Sequence, residues 1–190
     1  MNKIWLTSDW HFNHNKPFIY EPRGFTNVEE MNEAIIKRHN SIVDYNDDVY
    51  CLGDCMLGDN ELGLKCIKSL KGKIHIIRGN HCTDVRNELY KTCYNVVEVL
   101  GYGEMLKYSG YHFYLSHYPT LTSNHDIDKP LKRRMVNLCG HSHTVDKFAD
   151  FDKGLIFHVE LDTNNCYPWL IDNIIEDIKN YINEKNKFKF

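Results

Sequence analysis

The chain has no Cys-x-x-Cys pair, no internal repeat, no low-complexity segment and no apolar run long enough to span a bilayer. Its start, Met1-Asn2-Lys3-Ile4-Trp5, lacks the extended apolar core of a signal peptide. The cysteine count is seven, which is odd. Without an export signal these cysteines read as reduced thiols in a cytoplasm, not as a disulfide framework. Excess positive charge is also missing. A formal net charge of -3 and a pI near 6.4 argue against a globally basic nucleic-acid binder and leave only a local basic patch. What is present is ordinary for a globular protein, with 42% hydrophobic and 26% charged residues. A length of 190 residues fits one core and one domain over 1–190. The one unusual count is eleven histidines, and histidine is the commonest metal ligand.

The histidines are not scattered at random. Lys73-Ile74-His75-Ile76-Ile77 reads as a buried strand, and Arg78-Gly79-Asn80-His81 follows at its C-terminal end. Open α/β sheets place their sites at such ends. Lys3 to Thr7 is a short strand followed by Ser8-Asp9-Trp10-His11. If strand geometry persists there, residues two apart face the same side. Asp48 to Leu52 is a strand running into Gly53-Asp54. Tyr111 to Ser116 delivers His117, and Met135 to Cys139 ends in Gly140-His141-Ser142-His143. Five apolar strands thus end in carboxylates, an amide or imidazoles. For any one strand a polar end is commonplace, but five together are not. Two carboxylates, one amide and four imidazoles suit a pair of borderline divalent cations better than one, and structural zinc would be richer in thiolate.

The remaining pattern supplies the frame. Asn27 is placed to cap a helix to about Val43, with Glu30 in the capping-box position. His39 lies on that helix's apolar stripe and reads as a structural side chain. Glu61 to Leu70 reads as a second helix, with Leu62, Cys66 and Leu70 on one face. Asp84 to Thr92 reads as a third, and Ile171 to Glu184 as an amphipathic C-terminal helix before a frayed Lys-rich tail. Runs at 95–100, 103–108 and 111–116 are expected to form antiparallel hairpins, and Leu155 to Leu161 a further strand. Residues 12–26 are expected to form a loop, since Pro17, Pro22 and Gly24 interrupt regular structure. Its aromatics either anchor a surface loop or form a rim that stacks a base and holds a phosphate. A second long loop, 119–134, carries His125, Lys129, Lys132, Arg133 and Arg134 and reads as a solvated face. Cys51, Cys55, Cys82 and Cys139 lie beside site blocks and read as small packing residues rather than redox sensors.

Asp9-Trp10-His11, Gly53-Asp54, Gly79-Asn80-His81, His117 and Gly140-His141-Ser142-His143 resemble, in this order, the motif blocks of the calcineurin-like metallophosphoesterase superfamily. Ser8 to His14 and Arg23-Gly24-Phe25 look like its small stand-alone bacterial and phage members. The resemblance implies an α/β fold, a two-sheet mixed β-sandwich flanked by helices, with metals at the strand ends. It implies that Asp9, His11 and His143 hold one ion, that Asn80, His117 and His141 hold another, and that Asp54 bridges them. Two cations ~3.5–4 Å apart can sharpen a bridging water into a hydroxide and clamp a phosphoryl oxygen. His81 would protonate the leaving oxygen as general acid. Mn²⁺, Fe or a mixture is the expected metal, with Zn²⁺ and Ni²⁺ admitted by the same donors.

Substrate class is read from what surrounds these blocks. No capping domain fits in the chain, and Cys55-Met56-Leu57-Gly58 stands where protein phosphatases carry Asp-Arg-Gly after Gly-Asp. An open site suits a small phosphodiester or phosphomonoester, such as a nucleotide, a cyclic nucleotide or an RNA end. Arg23 and His14 are the candidate phosphate contacts. No membrane and no obligate protein partner is expected. Two other readings compete: a non-catalytic metal-binding interaction scaffold of the same fold, and a protein in which one ion is purely structural.

Overall fold

Alternation along the first strand decides the architecture. In β1 (Ile4–Thr7) Trp5 packs into one core cluster, while Leu6, with Ile4 against it, packs into another. A strand buried on both faces must carry layers on both. The computed structural model describes residues 2–122 and 129–187; His125 of the second long loop and the end of the tail lie outside the described residues.

The first sheet has the order β4-β3-β2-β1-β9. β1, β2 (Asp48–Cys51), β3 (Lys73–Ile76) and β4 (Val96–Val99) run parallel. The second has the order β5-β6-β7-β8, from β5 (Gly103–Tyr108), β6 (Tyr111–Ser116), β7 (Met135–Cys139) and β8 (Ile156–His158). β6, β7 and β8 are parallel and β5 is antiparallel. β9 (Trp169–Leu170) closes the first sheet antiparallel to β1. Both sheets are therefore mixed, as expected. The helices are α1 (Pro17–Tyr20), α2 (Val28–Ile42), α3 (Asn60–Lys68), α4 (Asp84–Tyr90), α5 (Phe151–Gly154) and α6 (Ile171–Lys187). Among the described residues no helix is long and apolar enough to cross a membrane.

Met31 and Ile35 of α2 and Ile67 of α3 share one core cluster with Trp5, Val49 and Ile74. On the opposite face Leu6 joins Phe113, Leu138 and Phe157 of the second sheet and Ile174 and Ile178 of α6. Order is therefore helices, sheet, sheet, with α6 on the second cluster. His39 is buried on α2 with its Nε2 2.9 Å from the Lys71 carbonyl, a structural role as read.

Four local expectations are corrected. The run 95–100 forms no hairpin; it adds to β3 as parallel β4, while only β5 and β6 form the antiparallel hairpin. Pro17 does not break structure but starts the single turn α1, where its missing N–H costs nothing. Glu30 does not close a reciprocal capping box. Asn27 Oδ1 accepts from the Glu30 N–H at 2.8 Å, but the Glu30 carboxylate accepts from Thr26 N at 2.9 Å and Thr26 Oγ1 at 2.8 Å. In α3 the buried face is Gly63 and Ile67, and Leu62 is 52% exposed. Asp59 sets this phase by accepting from the Glu61 and Leu62 N–H groups at 2.8 and 3.1 Å.

Two truncations on this one helix separate its faces. Ile67→Ala should cost about 2–5 kcal/mol, and Leu62→Ala should stay within about 0.5 kcal/mol. Urea denaturation of both variants checks this, and equal losses would contradict the observed phase.

Candidate metal centre

Five loops meet at one end of the two sheets. Asp9 N donates to Gly53 O at 3.1 Å, and Gly140 N donates to His117 O at 3.0 Å, so the loops are joined in pairs. Between the sheets His117 Nδ1 lies 2.8 Å from Leu52 O. The shared orientation of Asp9 and His11 does not come from strand periodicity. Both lie beyond β1 in left-handed backbone, with φ of 58° and 48°. Asp54 (53°), His141 (74°) and His143 (48°) adopt the same region. Non-glycine residues avoid it by roughly 1–2 kcal/mol each, and such strain gathers at functional sites.

All seven expected donors come together. Asp9, His11 and His143 form one group and Asp9, Asp54 and His117 another, each with ligand atoms within 4.8 Å of one another. His11 Nε2 and His143 Nε2 are 3.1 Å apart. His117 Nε2 stands 2.7 Å from Asn80 Oδ1 and 3.2 Å from His141 Nδ1. Asp54 Oδ2 lies between these sets, 4.0 Å from His11 Nε2 and 3.4 Å from His117 Nε2. Asp9 thus lies nearer the second set than its expected membership of the first alone implied.

Close backbone approach fixes the carboxylates. His141 N donates to Asp9 Oδ2 and His81 N to Asp54 Oδ1, each at 2.9 Å. A Cβ at Gly140 would overlap Ser8 Oγ and Asp9 Oδ2, and a Cβ at Gly79 would overlap Asp54 Oδ1. That is the physical reason for glycine in these two blocks. The second oxygen of Asp9 is buried with no hydrogen-bond partner. It faces His11 Nε2 at 3.6 Å and His143 Nε2 at 3.8 Å. An orphaned carboxylate oxygen among converging ring nitrogens fits a divalent cation.

Outer partners hold the rings. His143 Nδ1 is 3.1 Å from Asp162 Oδ2, and His11 Nδ1 is 3.2 Å from His14 Nδ1. Such contacts fix ring orientation and leave the inner nitrogen as the donor. Asp162 was not anticipated, although it follows the run 155–161 as Asp54 follows β2. Burial raises its carboxyl, but His143 and Arg23 bring it down to about 2. Burial likewise raises Asp9, and His11, His117 and His143 hold it below the usual carboxylate range.

His81 keeps its expected place outside the ligand set. Its side chain is 38% exposed, its Nε2 lies 3.9 Å from Asp54 Oδ2, and its ring centroid is 5.7 Å from that of His11. Arg23 differs from expectation. Its side chain is 2% exposed. Its Nε and Nη2 donate to both Asp162 oxygens at 3.0 and 2.8 Å, and Nη2 also donates to Asp9 O at 2.9 Å. A guanidinium so engaged is a buried strut behind Asp9 and His143, not a rim contact for phosphate. His14 is on the rim but spends a ring nitrogen on His11. Burial, then the neighbouring His11 and His81, lowers it to about 4, so it is neutral at pH 7. Cys51, Cys55 and Cys82 are buried, with Cys51 and Cys55 sulfurs 3.6 Å apart. Burial raises the Cys51 and Cys55 thiols, and the Cys55 contact and burial raise Cys82.

Two outcomes follow from this geometry. Arg23→Met would strand the buried Asp162 charge and should cost about 3–5 kcal/mol in stability, read by chemical denaturation; a phosphate-contact role would leave stability unchanged. His117 directs both ring nitrogens at oxygens, Leu52 O and Asn80 Oδ1, which suits the doubly protonated ring. Burial lowers its pKa, but Asp54 and Asp9 outweigh this and raise it to about 9. A raised folded value stabilises the metal-free protein below pH ~6.5, and that contribution is lost as pH rises through about 9. Metal binding runs the other way, because Nε2 must lose its proton. Manganese affinity should climb about tenfold per pH unit up to that value, with proton release measurable by calorimetry in buffers of different ionisation enthalpy.

Comparison with known proteins agrees with this geometry. Residues 3–158 match the calcineurin-like phosphoesterase superfamily domain. An uncharacterised protein of Methanocaldococcus jannaschii is 33% identical over 184 residues, covering 94% of this chain and 93% of that protein. A solved structure of a protein of unknown function from Aquifex aeolicus superposes with a TM-score of 0.72 at 20% identity, covering 93% of this chain and 99% of that one. With the domain match spanning most of its length and its blocks gathered at the strand ends, the chain belongs to the calcineurin-like phosphoesterase superfamily.

Proposed function

We propose that this chain is a phosphoesterase dependent on two divalent cations, manganese or iron, that hydrolyses a phosphodiester or phosphomonoester of the nucleotide, cyclic-nucleotide or RNA-end class. One observation carries the reading: Asp54 Oδ2 stands between two groups of ring nitrogens, at 4.0 and 3.4 Å, where one carboxylate can serve both. Asp9, His11 and His143 would hold one ion, and Asn80, His117 and His141 the other. The ions, when bound, supply charge neutralisation at the phosphoryl oxygens and an activated water.

The chain's own groups do the rest. The partners of His11, His117 and His143 leave one nitrogen of each ring directed inward. Asn80 and His141 lie exposed at the surface, so the site opens to solvent and can admit a small ester. His81 is half-exposed beside Asp54 and holds the proton that goes to the leaving oxygen as its bond to phosphorus breaks. A phosphate ester meets fixed donors here, so little reorganisation is needed at the moment of reaction.

Metal analysis by mass spectrometry beside hydrolysis of bis-p-nitrophenyl phosphate, with and without Mn²⁺, tests the reading. Two ions and metal-dependent turnover support it. Two ions with no turnover on any ester would favour an interaction scaffold, and a single ion a structural role. His81→Ala should retain both ions and lose ~10²–10⁴-fold in turnover on an alkyl diester. The loss should be smaller on a p-nitrophenyl ester, whose leaving group needs no proton. Equal turnover of variant and parent on the alkyl diester would remove His81 from this role.

A further inference from the structure

Two exposed aromatic rings stand on opposite flanks of the metal centre. Phe18, on α1, is 69% exposed and meets His14 edge to face with centroids 5.7 Å apart. His14 in turn lies 5.1 Å from the His11 ring and 6.1 Å from the His81 ring. Tyr118 is 45% exposed and meets His141 at 4.6 Å and His117 at 5.2 Å. Contacts therefore run from Phe18 through His14 to His11 and His81, across Asp54 to His117 and His141, and end at Tyr118. Neither ring is on a loose tail. The next residue after Phe18, Ile19, is buried and anchors α1, while Tyr118 is fixed by its neighbour His117, fully buried beside Leu52. Exposed aromatic rings on both sides of a binding centre offer faces on which planar groups of a ligand can stack.

Resting on the phosphoesterase reading above, we infer that the substrate is a diester with a nucleobase on each arm, a dinucleoside phosphodiester or the terminal linkage of a short single strand. Base–aromatic stacking tolerates any sequence because every base has a π-face. His81 lies on the Phe18 flank, so Phe18 takes the base of the departing arm and Tyr118 the base of the arm that keeps phosphorus. Water adds its oxygen to phosphorus and releases one proton to solvent. The bond to the departing oxygen breaks, the His81 proton goes to that oxygen, and His81 regains a proton from solvent. The products are a nucleoside and a nucleotide. The overall net charge of -3 favours a short ligand, since long strands are held by many Lys and Arg contacts to phosphate. Lys16, exposed at the start of α1, stands on the Phe18 flank for one neighbouring phosphate.

Calorimetric binding to manganese-loaded protein tests this, with dinucleoside phosphorothioate as a slowly cleaved two-base ligand and dimethyl thiophosphate as a ligand with no base. Phe18→Ala and Tyr118→Ala should each weaken the two-base ligand about 5- to 100-fold. Both should leave dimethyl thiophosphate and the melting temperature unchanged, because the rings are exposed. Phe18→Trp and Tyr118→Phe should retain parent affinity. Parent-like affinity of both alanine variants for the two-base ligand overturns the inference and leaves the phosphoesterase reading standing. Failure of the parent protein to bind either ligand, together with no hydrolysis of bis-p-nitrophenyl phosphate, overturns both.

Discussion

Two carboxylates, Asp9 and Asp54, are buried at 0% and 2% exposure within one centre, and much of the molecule is arranged around that cost. An uncompensated buried carboxylate is expensive, and two near each other repel. Compensation here is partly local. Each takes a backbone N–H at 2.9 Å from the loop beside it, through a glycine that lets the chains touch. The remainder must be positive and must come from four imidazoles or from cations. A site that demands positive charge and surrounds the demand with ring nitrogens able to give up their protons is one that metal ions satisfy.

The sandwich makes this demand precise. Asp9, Asp54 and Asn80 follow three neighbouring parallel strands of the first sheet, and His117, His141 and His143 follow two parallel strands of the second. Parallel strands end on the same side, so both sheets deliver their loops to one rim. The His117–Leu52 contact fastens the rims together. Positive φ at Asp9, His11, Asp54, His141 and His143 shows that the local backbone yields to the site. Packing of two large clusters on either face of the first sheet supplies the rigidity that holds those angles.

Support for the site extends inward through buried polar groups. Arg23 and Asp162 form a buried pair behind His143 and Asp9. At the end of β8, just before the turn that carries Asp162, His158 lies between Asp150 and Glu160, at 3.1 Å from each, wholly buried. Burial raises Glu160, while His158, whose own burial lowers it, is raised above its usual value by both carboxylates. Ionic groups in these positions contribute little net stability but are costly to break singly, so they fix one arrangement.

The seven side chains that gather at the strand ends, and His81 beside them, were legible as a cluster in the sequence because each sits close after an apolar run, and β-rich periodicity locates such runs well. Caps and helix lengths were legible for the same local reason, as Asn27 and α2 show. Partnership over long separations was not. Arg23 and Asp162 are 139 positions apart, and no local signal distinguishes a guanidinium buried against a carboxylate from one on a rim. The face of α3, the parallel docking of β4 and the flanking of the centre by Phe18 and Tyr118 were likewise settled by what other segments pack beside them. Sequence determined which chemistry is carried and at which strand ends; tertiary structure alone decided which charges are buried together, because burial depends on neighbours that come from everywhere else in the chain.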